Sequence, residues 1–281
     1  MATVLENILE EKRIEAERLK SGINVQQYSA NAYSAVTSPR SLKKALRPRS
    51  NGEAVPFRIC SIIAEVKKAS PSKGVLVEDY RPDELAGLYE KGGASAISVL
   101  TDKKFFMGDP SDVSKVRKYV NIPVLRKDFI IDEIQVFESK IIGADAILLI
   151  IKALSEDQYK NLLLLAKELS LDVLTEVSNE DELDIAFKYE ADIIGVNSRD
   201  LNTFKTDLYK TAEIIGKIPP GIIVVAESGI SNRGDIELLM RRGVNSFLIG
   251  ETLVTSPDPV KKLKDLLLPY SMEEYSEFFS D

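Results

Sequence analysis

The chain has no histidine, no tryptophan and a single cysteine. Without imidazole there is no Ser-His or Cys-His nucleophile, no histidine metal ligand, and no near-neutral proton shuttle unless a pKa is shifted. Acid–base work must fall to Lys, Glu, Asp or Tyr in tuned surroundings. The lone Cys60 excludes an intramolecular disulfide and a multi-cysteine metal site, and beside Ile59, Ser61 and Ile62 it reads as small core packing. No metal or cofactor is expected. No apolar run approaches the roughly 20 residues of a membrane span. The acidic start Met1-Ala2-Thr3-Val4-Leu5-Glu6-Asn7 lacks a basic-then-apolar signal pattern, so a cytoplasmic protein without membrane association is expected. A net charge of −7 argues against a general nucleic-acid surface. The locally basic run Lys43-Lys44-Ala45-Leu46-Arg47-Pro48-Arg49 reads as a solvated face or a rim that attracts a small anion.

What is present is ample material for a core: 281 residues, 44% apolar and 29% charged, enough for one large α/β domain or two small ones. Residues 4–21 carry Val4, Leu5, Ile8, Leu9 and Ile14 at helical spacing, and a second helical piece is expected over 39–46. Arg47-Pro48-Arg49-Ser50-Asn51-Gly52 then breaks the pattern. Residues 1–57 are therefore expected to form a helical extension packed on the repeating part of the chain.

From Ser61 onward a short β-rich apolar run alternates eight times with a longer amphipathic segment. The strands are expected to begin near Ser61, Ala96, Ile122, Ala146, Asp172, Asp192, Ile222 and Ser246. The helices between them have start signals such as Ser155-Glu156-Asp157 and Ser178-Asn179-Glu180-Asp181. Strand-then-helix repetition implies parallel strands with right-handed crossovers. Eight units over 58–268 predict a single (β/α)8 TIM barrel, with an acidic tail at 269–281. A doubly wound open sheet is the alternative, weakened because no glycine-rich dinucleotide fingerprint follows the first strand.

Catalytic groups of such barrels sit at the carboxyl ends of the strands. The first strand ends in Glu65 and Lys67, two apart and hence on one face, and the third offers Lys127. The fifth offers Glu176, the sixth Asn197 and Arg199, the seventh Glu227 and Ser228. Each alone could be an ion pair or a solvated strand end; together they set charges around one mouth that need partners or a ligand. Glu227-Ser228-Gly229-Ile230 and Leu248-Ile249-Gly250-Glu251 leave the last two strands through glycine, where backbone N–H groups can approach an anion closely. Loops after strands seven and eight are the usual phosphate position in this fold. A phosphorylated small molecule is the expected partner, with Lys67 supplying local positive charge.

These residues resemble the indole-3-glycerol-phosphate synthase family. The likeness runs through Ala64-Glu65-Val66-Lys67-Lys68-Ala69-Ser70-Pro71-Ser72-Lys73-Gly74, Lys127-Asp128-Phe129, Thr175-Glu176-Val177, Asn197-Ser198-Arg199-Asp200-Leu201, Ala226-Glu227-Ser228-Gly229-Ile230 and Leu248-Ile249-Gly250. It implies ring closure of 1-(2-carboxyphenylamino)-1-deoxyribulose 5-phosphate with loss of carbon dioxide and water, without a cofactor. By that resemblance Lys127 would be the general acid at the ribulose carbonyl and Glu176 the carboxylate facing the anilino nitrogen. Lys67, paired with Glu65, would hold charged substrate, while Asn197, Glu227 and Ser228 orient these groups and the sugar hydroxyls. Gly229, Gly250 and Glu251 would cradle phosphate through their backbone, Arg199 would meet the anthranilate carboxylate, and Phe106, Pro71, Phe129 and Leu201 would form the ring slot. A Schiff-base aldolase using Lys127 or Lys67 accounts for the lysines, carboxylates and phosphate but not for the ring slot. A barrel that only binds a sugar phosphate or a partner protein is the other alternative. A monomer is expected.

Overall fold

Short β-branched runs become strands here because both of their faces are covered, one by the barrel interior and one by helices. A computed structural model describes residues 3–35, 39–47, 60–199 and 206–267. Its barrel strands are β1 (Ser61–Val66), β2 (Ala96–Leu100), β3 (Val124–Lys127), β4 (Ala146–Ile150), β5 (Asp172–Val177), β6 (Ile193–Asn197), β7 (Ile223–Glu227) and β8 (Ser246–Ile249). All pair in parallel and in sequential order, and the barrel closes where β1 meets β8, Ser61 opposite Ser246. The third strand begins two residues later than its apolar run, after Pro123, which has no N–H to give a ladder.

The extension contributes α1 (Val4–Gly22), α2 (Val25–Ser34) and α3 (Leu42–Leu46). Thr3 opens α1 with a capping box to Glu6, and Leu5, Ile8, Lys12 and Ala16 form its buried stripe. No helix was expected over α2, whose polar sequence buries only Ala32. The described basic residues Lys43, Lys44 and Arg47 lie at the amino ends of the strands, away from the mouth, with Lys44 and Arg47 exposed to solvent. Leu42 and Leu46 are fully buried there, Lys43 pairs with Asp192, and Ser246 Oγ donates to the Leu46 carbonyl at 3.3 Å. The extension thus reaches both ends of the barrel: α3 covers the bottom, while α1 ties to the mouth through Lys104–Glu11 at 2.6 Å and Lys20–Asp132 at 2.5 Å. The expected limits of the extension at residue 57 and of the acidic tail at 269 fall outside the described residues.

The outer layer consists of α4 (Pro82–Gly92), α5 (Lys103–Phe106), α6 (Ser111–Tyr119), α7 (Glu133–Ile141), α8 (Glu156–Glu168), α9 (Glu180–Lys188), α10 (Leu208–Ile215), α11 (Arg233–Met240), α12 (Glu251–Val254) and α13 (Pro259–Leu267). Alternation along the strands separates two cores. Ile63, Leu125, Leu148, Leu174, Val225 and Leu248 fill the interior, whereas Ile62, Val99, Ile147, Ile194 and Phe247 face the helices. Glu65, Lys127, Glu176, Asn197 and Glu227 share the inward parity and stand one layer above that apolar filling. Strand register is what brings them together.

Candidate active site

At the carboxyl end of the barrel lies a cavity of about 320 Å³. Its wall includes Glu65, Lys67, Lys127, Glu176, Asn197, Arg199 and Ser228, with Pro71, Phe106 and Phe129 on one side and Gly229, Gly250 and Glu251 on another. Two expected residues are not in that wall. Glu227 is buried beneath it, 1% exposed, and Leu201 falls outside the described residues.

The polar groups form two linked sets. Lys67 Nζ lies 2.8 Å from Glu65 Oε1, and burial of that carboxyl is outweighed by Lys67 and then Lys127, which hold it below the usual carboxylate range. Lys127 Nζ lies 3.4 Å from Glu227 and 3.8 Å from Glu176. Burial works against its charge, but Glu227, Glu176 and Glu65 together raise its pKa, so it stays an ammonium. Neither separation is a close hydrogen bond, and among the described residues Lys127 donates no closer one. Glu176 is oriented from the other side, where Asn197 Nδ2 donates to its Oε1 at 3.0 Å. Burial pushes Glu227 up to about 8; Lys127 pulls against it, and Glu176 and Glu65 add repulsion. Of the carboxyls around Lys127 it is the one whose neutral form burial favours.

Two glycines make room for this charge. A Cβ on Gly195 of β6 would stand 2.1 Å from Glu227 Oε1, and one on Gly250 would stand 2.2 Å from Glu65 Oε1. Gly195 was not singled out from the sequence, although a glycine inside a buried strand signals a close approach.

At the ends of β7 and β8 the chain turns sharply. Ser228 and Gly229 have φ of 66° and 74°, and Ser198 Oγ braces the turn by donating to the carbonyls of Glu227 and Ser228 at 3.0 and 2.9 Å. A non-glycine residue held at positive φ is strained, which is common where backbone must face a ligand. The amides of Gly229 and Gly250 make no hydrogen bond to a described residue. Arg199 belongs to this side of the mouth, its Nη1 3.5 Å from Ser72 Oγ and its Nη2 3.7 Å from Glu251. Lys73, also not singled out beforehand, reaches across from the segment after β1 to Glu251 at 2.5 Å. Opposite them the rings of Phe106 and Phe129 stand 6.3 Å apart. The arrangement offers an anion-binding end, an apolar slot and an ammonium among carboxylates between them.

Among solved structures the chain is similar to the thiamine phosphate pyrophosphorylase of Pyrococcus furiosus, with a TM-score of 0.54 at 17% identity over 79% of this chain and 98% of that one, a likeness of fold. Sequence comparison reaches further. The chain is 46% identical over 254 residues to the indole-3-glycerol phosphate synthase of Chloroherpeton thalassium, covering 90% of this chain and 95% of that protein. It is 43% identical over 272 residues to that of Syntrophobacter fumaroxidans, covering 96% and 100%. The family model for indole-3-glycerol phosphate synthase matches residues 5–266, so the chain belongs to this family of carboxy-lyases of tryptophan biosynthesis.

Proposed function

We propose that Lys127 is the acid of the ring closure that this family catalyses. The observation that carries this reading is its half-buried ammonium, facing the cavity with no close hydrogen bond to a described residue. An aromatic ring carbon attacks the ribulose carbonyl, the new carbon–carbon bond forms, and negative charge develops on the carbonyl oxygen. An ammonium already aimed at that position stabilises the charge without reorganising. A developing alkoxide is more basic than even a lysine of raised pKa, so the proton passes to oxygen and gives a hydroxyl. Carbon dioxide then leaves the ring carbon that made the attack, and the electrons of the broken carbon–carbon bond restore aromaticity.

The hydroxyl departs as water while the neighbouring carbon of the new five-membered ring loses a proton. Glu176, held by Asn197, is assigned to face the nitrogen side of the substrate and take protons there. The Glu65–Lys67 pair lies against Gly250 and is assigned to hold the sugar and phosphate end, with a share in the dehydration. Glu227 acts from below on Lys127, and Ser228 orients the sugar hydroxyls. Phosphate is assigned to the Gly229 and Gly250 amides and the start of α12, and Arg199, which reaches Ser72 beside Pro71 as well as Glu251, to the anthranilate carboxylate. Phe106, Phe129 and Pro71 are assigned to the anthranilate ring, and pressing that ring onto the carbonyl is a positioning effect.

Residues 1–57 are assigned as an extension of a 58–268 barrel, and the enzyme as a cytoplasmic monomer. No helix among the described residues is long and apolar enough to cross a membrane. The test is indole fluorescence on mixing the full chain with the carboxyphenylamino-deoxyribulose phosphate, since a chain without tryptophan contributes little background. Wild type makes the product, whereas folded Lys127→Ala and Glu176→Ala lose it by orders of magnitude. Retention of activity by either variant would remove that residue from its role.

A further inference from the structure

Lys12 of α1 is 1% exposed, yet it reaches neither solvent nor the cavity. Its ammonium lies 2.8 Å from Asp102 Oδ2, 2.9 Å from Asp128 Oδ1 and 2.8 Å from Glu15. Both aspartates terminate barrel strands, and each organises a piece of the mouth. Asp102 follows β2 and caps α5, its Oδ1 accepting from the amides of Phe105 at 2.7 Å and Phe106 at 3.2 Å. Asp128 follows Lys127, its Oδ1 accepting from the Phe129 amide at 2.9 Å and its Oδ2 from Thr101 Oγ1 at 2.6 Å. One ammonium from outside the barrel therefore joins the turn that carries Phe106 to the turn that carries Lys127 and Phe129.

We propose that Lys12 is a positioning residue for the ring closure: it clamps the ends of β2 and β3 so that the Phe106–Phe129 slot holds its width and Lys127 holds its height above Glu227. This rests on the roles given above to Lys127 and the two phenylalanines. A lysine is a poor choice if α1 only had to be glued on, because a buried charge gives up its hydration and an apolar residue of similar volume seals a core at least as well. What an ammonium does that a methionine cannot is bind two carboxylates on separate turns at fixed distance. Both contacts are short ion pairs between buried groups, where solvent and salt screen them little. Small displacements at such a site cost rate, because the reacting atoms must meet within a narrow range of distance.

The clamp touches only one side of the mouth, which makes it testable. Lys12→Met keeps the side-chain volume and removes the bridge. In the full chain it is expected to lower kcat by about tenfold or more and to raise KM, while the Ki of inorganic phosphate as a competitive inhibitor stays within about twofold. The phosphate loops after β7 and β8 have no contact with Lys12, so this split between the two ends separates positioning from general loosening. Asp102→Asn is the second variant. It keeps an oxygen to cap α5, leaves Lys12 paired with Asp128 and Glu15, and is expected to raise KM about threefold or more with phosphate inhibition unchanged. Wild-type kcat and KM in Lys12→Met overturn the proposal, as does an equal weakening at both ends. If Lys12→Met does not fold, wild-type KM in Asp102→Asn overturns it. Lys127→Ala is measured alongside: should it remain active, the site assignment fails, whereas an inactive Lys127→Ala beside an unaffected Lys12→Met sinks the clamp alone.

Discussion

Two buried groups of charge stand back to back on the end of β3, one residue apart in sequence and bonded in opposite ways. On the inward side Lys127 lies 3.4 and 3.8 Å from its carboxylates. On the outward side Arg126 is 2.8 Å from Glu138 and 3.2 Å from Asp128, and Lys12 closes on Asp128 at 2.9 Å. Arg126 also donates to Ser139 Oγ at 3.1 Å and to the Gln135 carbonyl at 3.2 Å. Asp128, despite burial, is held down to about 2 by Lys12 and Arg126. The outward set spends its hydrogen-bonding capacity on itself and fixes the backbone. The inward set leaves donors and a carboxyl of raised pKa facing a cavity or lying just beneath it, where a substrate can complete them. Burial and charge are shared, so looser pairing is what leaves Lys127 to a substrate, while the Glu65–Lys67 pair stays close at 2.8 Å and is marked out by lining the cavity.

That contrast predicts opposite responses to mutation. The largest effect is on rate: Lys127→Ala should cost about 10²–10⁴-fold in kcat, the range for losing a positioned acid, while circular dichroism shows an intact fold. A loss below tenfold in the indole assay would make the open cluster no more special than the closed one. Next is stability on the outward face. Arg126→Met leaves Glu138 without its cation and Asp128 with Lys12 alone, and should cost about 3–5 kcal/mol in urea unfolding; a cost under about 1 kcal/mol would mean the cluster is not the closed network its distances describe.

A smaller effect appears with pH. Glu227 has a folded pKa of about 8, above its ordinary value. A raised carboxyl pKa means that the folded state holds a proton the unfolded chain has released. Its contribution to stability is full below the unfolded pKa and is lost as pH rises through about 8. Wild type should therefore lose stability relative to Glu227→Gln between those limits, by at most about 1.4 kcal/mol per pH unit. Parallel pH–stability curves for the two proteins would contradict the assignment of the proton. The smallest effect belongs to the far end of the barrel, where Lys43 pairs with Asp192 at 31% and 55% side-chain exposure. Lys43→Ala should change stability by less than about 1 kcal/mol and leave the product rate alone; a large loss of rate would mean that the bottom of the barrel communicates with the mouth.

Much of this was legible from residue types alone. Strands at Ser61, Ala96, Ala146, Asp172 and Ser246 begin where the apolar runs begin, because a doubly covered strand has to be apolar throughout. Glu65, Lys127, Glu176 and Asn197 were recognisable because a charged or amide side chain ending such an apolar run stands out against it. The helix α2 was not, since its Gln, Ser, Asn and Tyr residues show no apolar stripe and it rests largely on α7. The hairpin pairing Ala69 with Val75 was also missed, being two residues long on each side. Lys12 was readable in principle: it occupies the stripe of Leu5, Ile8 and Ala16, where a lysine is out of place unless something buried receives it. In the run Glu10-Glu11-Lys12-Arg13, however, it looks like surface.

The sequence by itself determined the fold class, the barrel order and many of the groups that line the mouth, because periodicity and strand-end charge are local properties of the chain. Only the tertiary structure decided which charges are closed off and which are left open. Lys127 and Asp128 are neighbours in sequence and both charged, but alternation sends one inward above Glu227 and the other outward to Lys12, a residue more than a hundred positions away. Their pKa values move with burial and with partners brought from other strands and from α1. Those distances exist only once the barrel has closed, so composition and spacing could name the charged groups without saying which of them would remain available to a substrate.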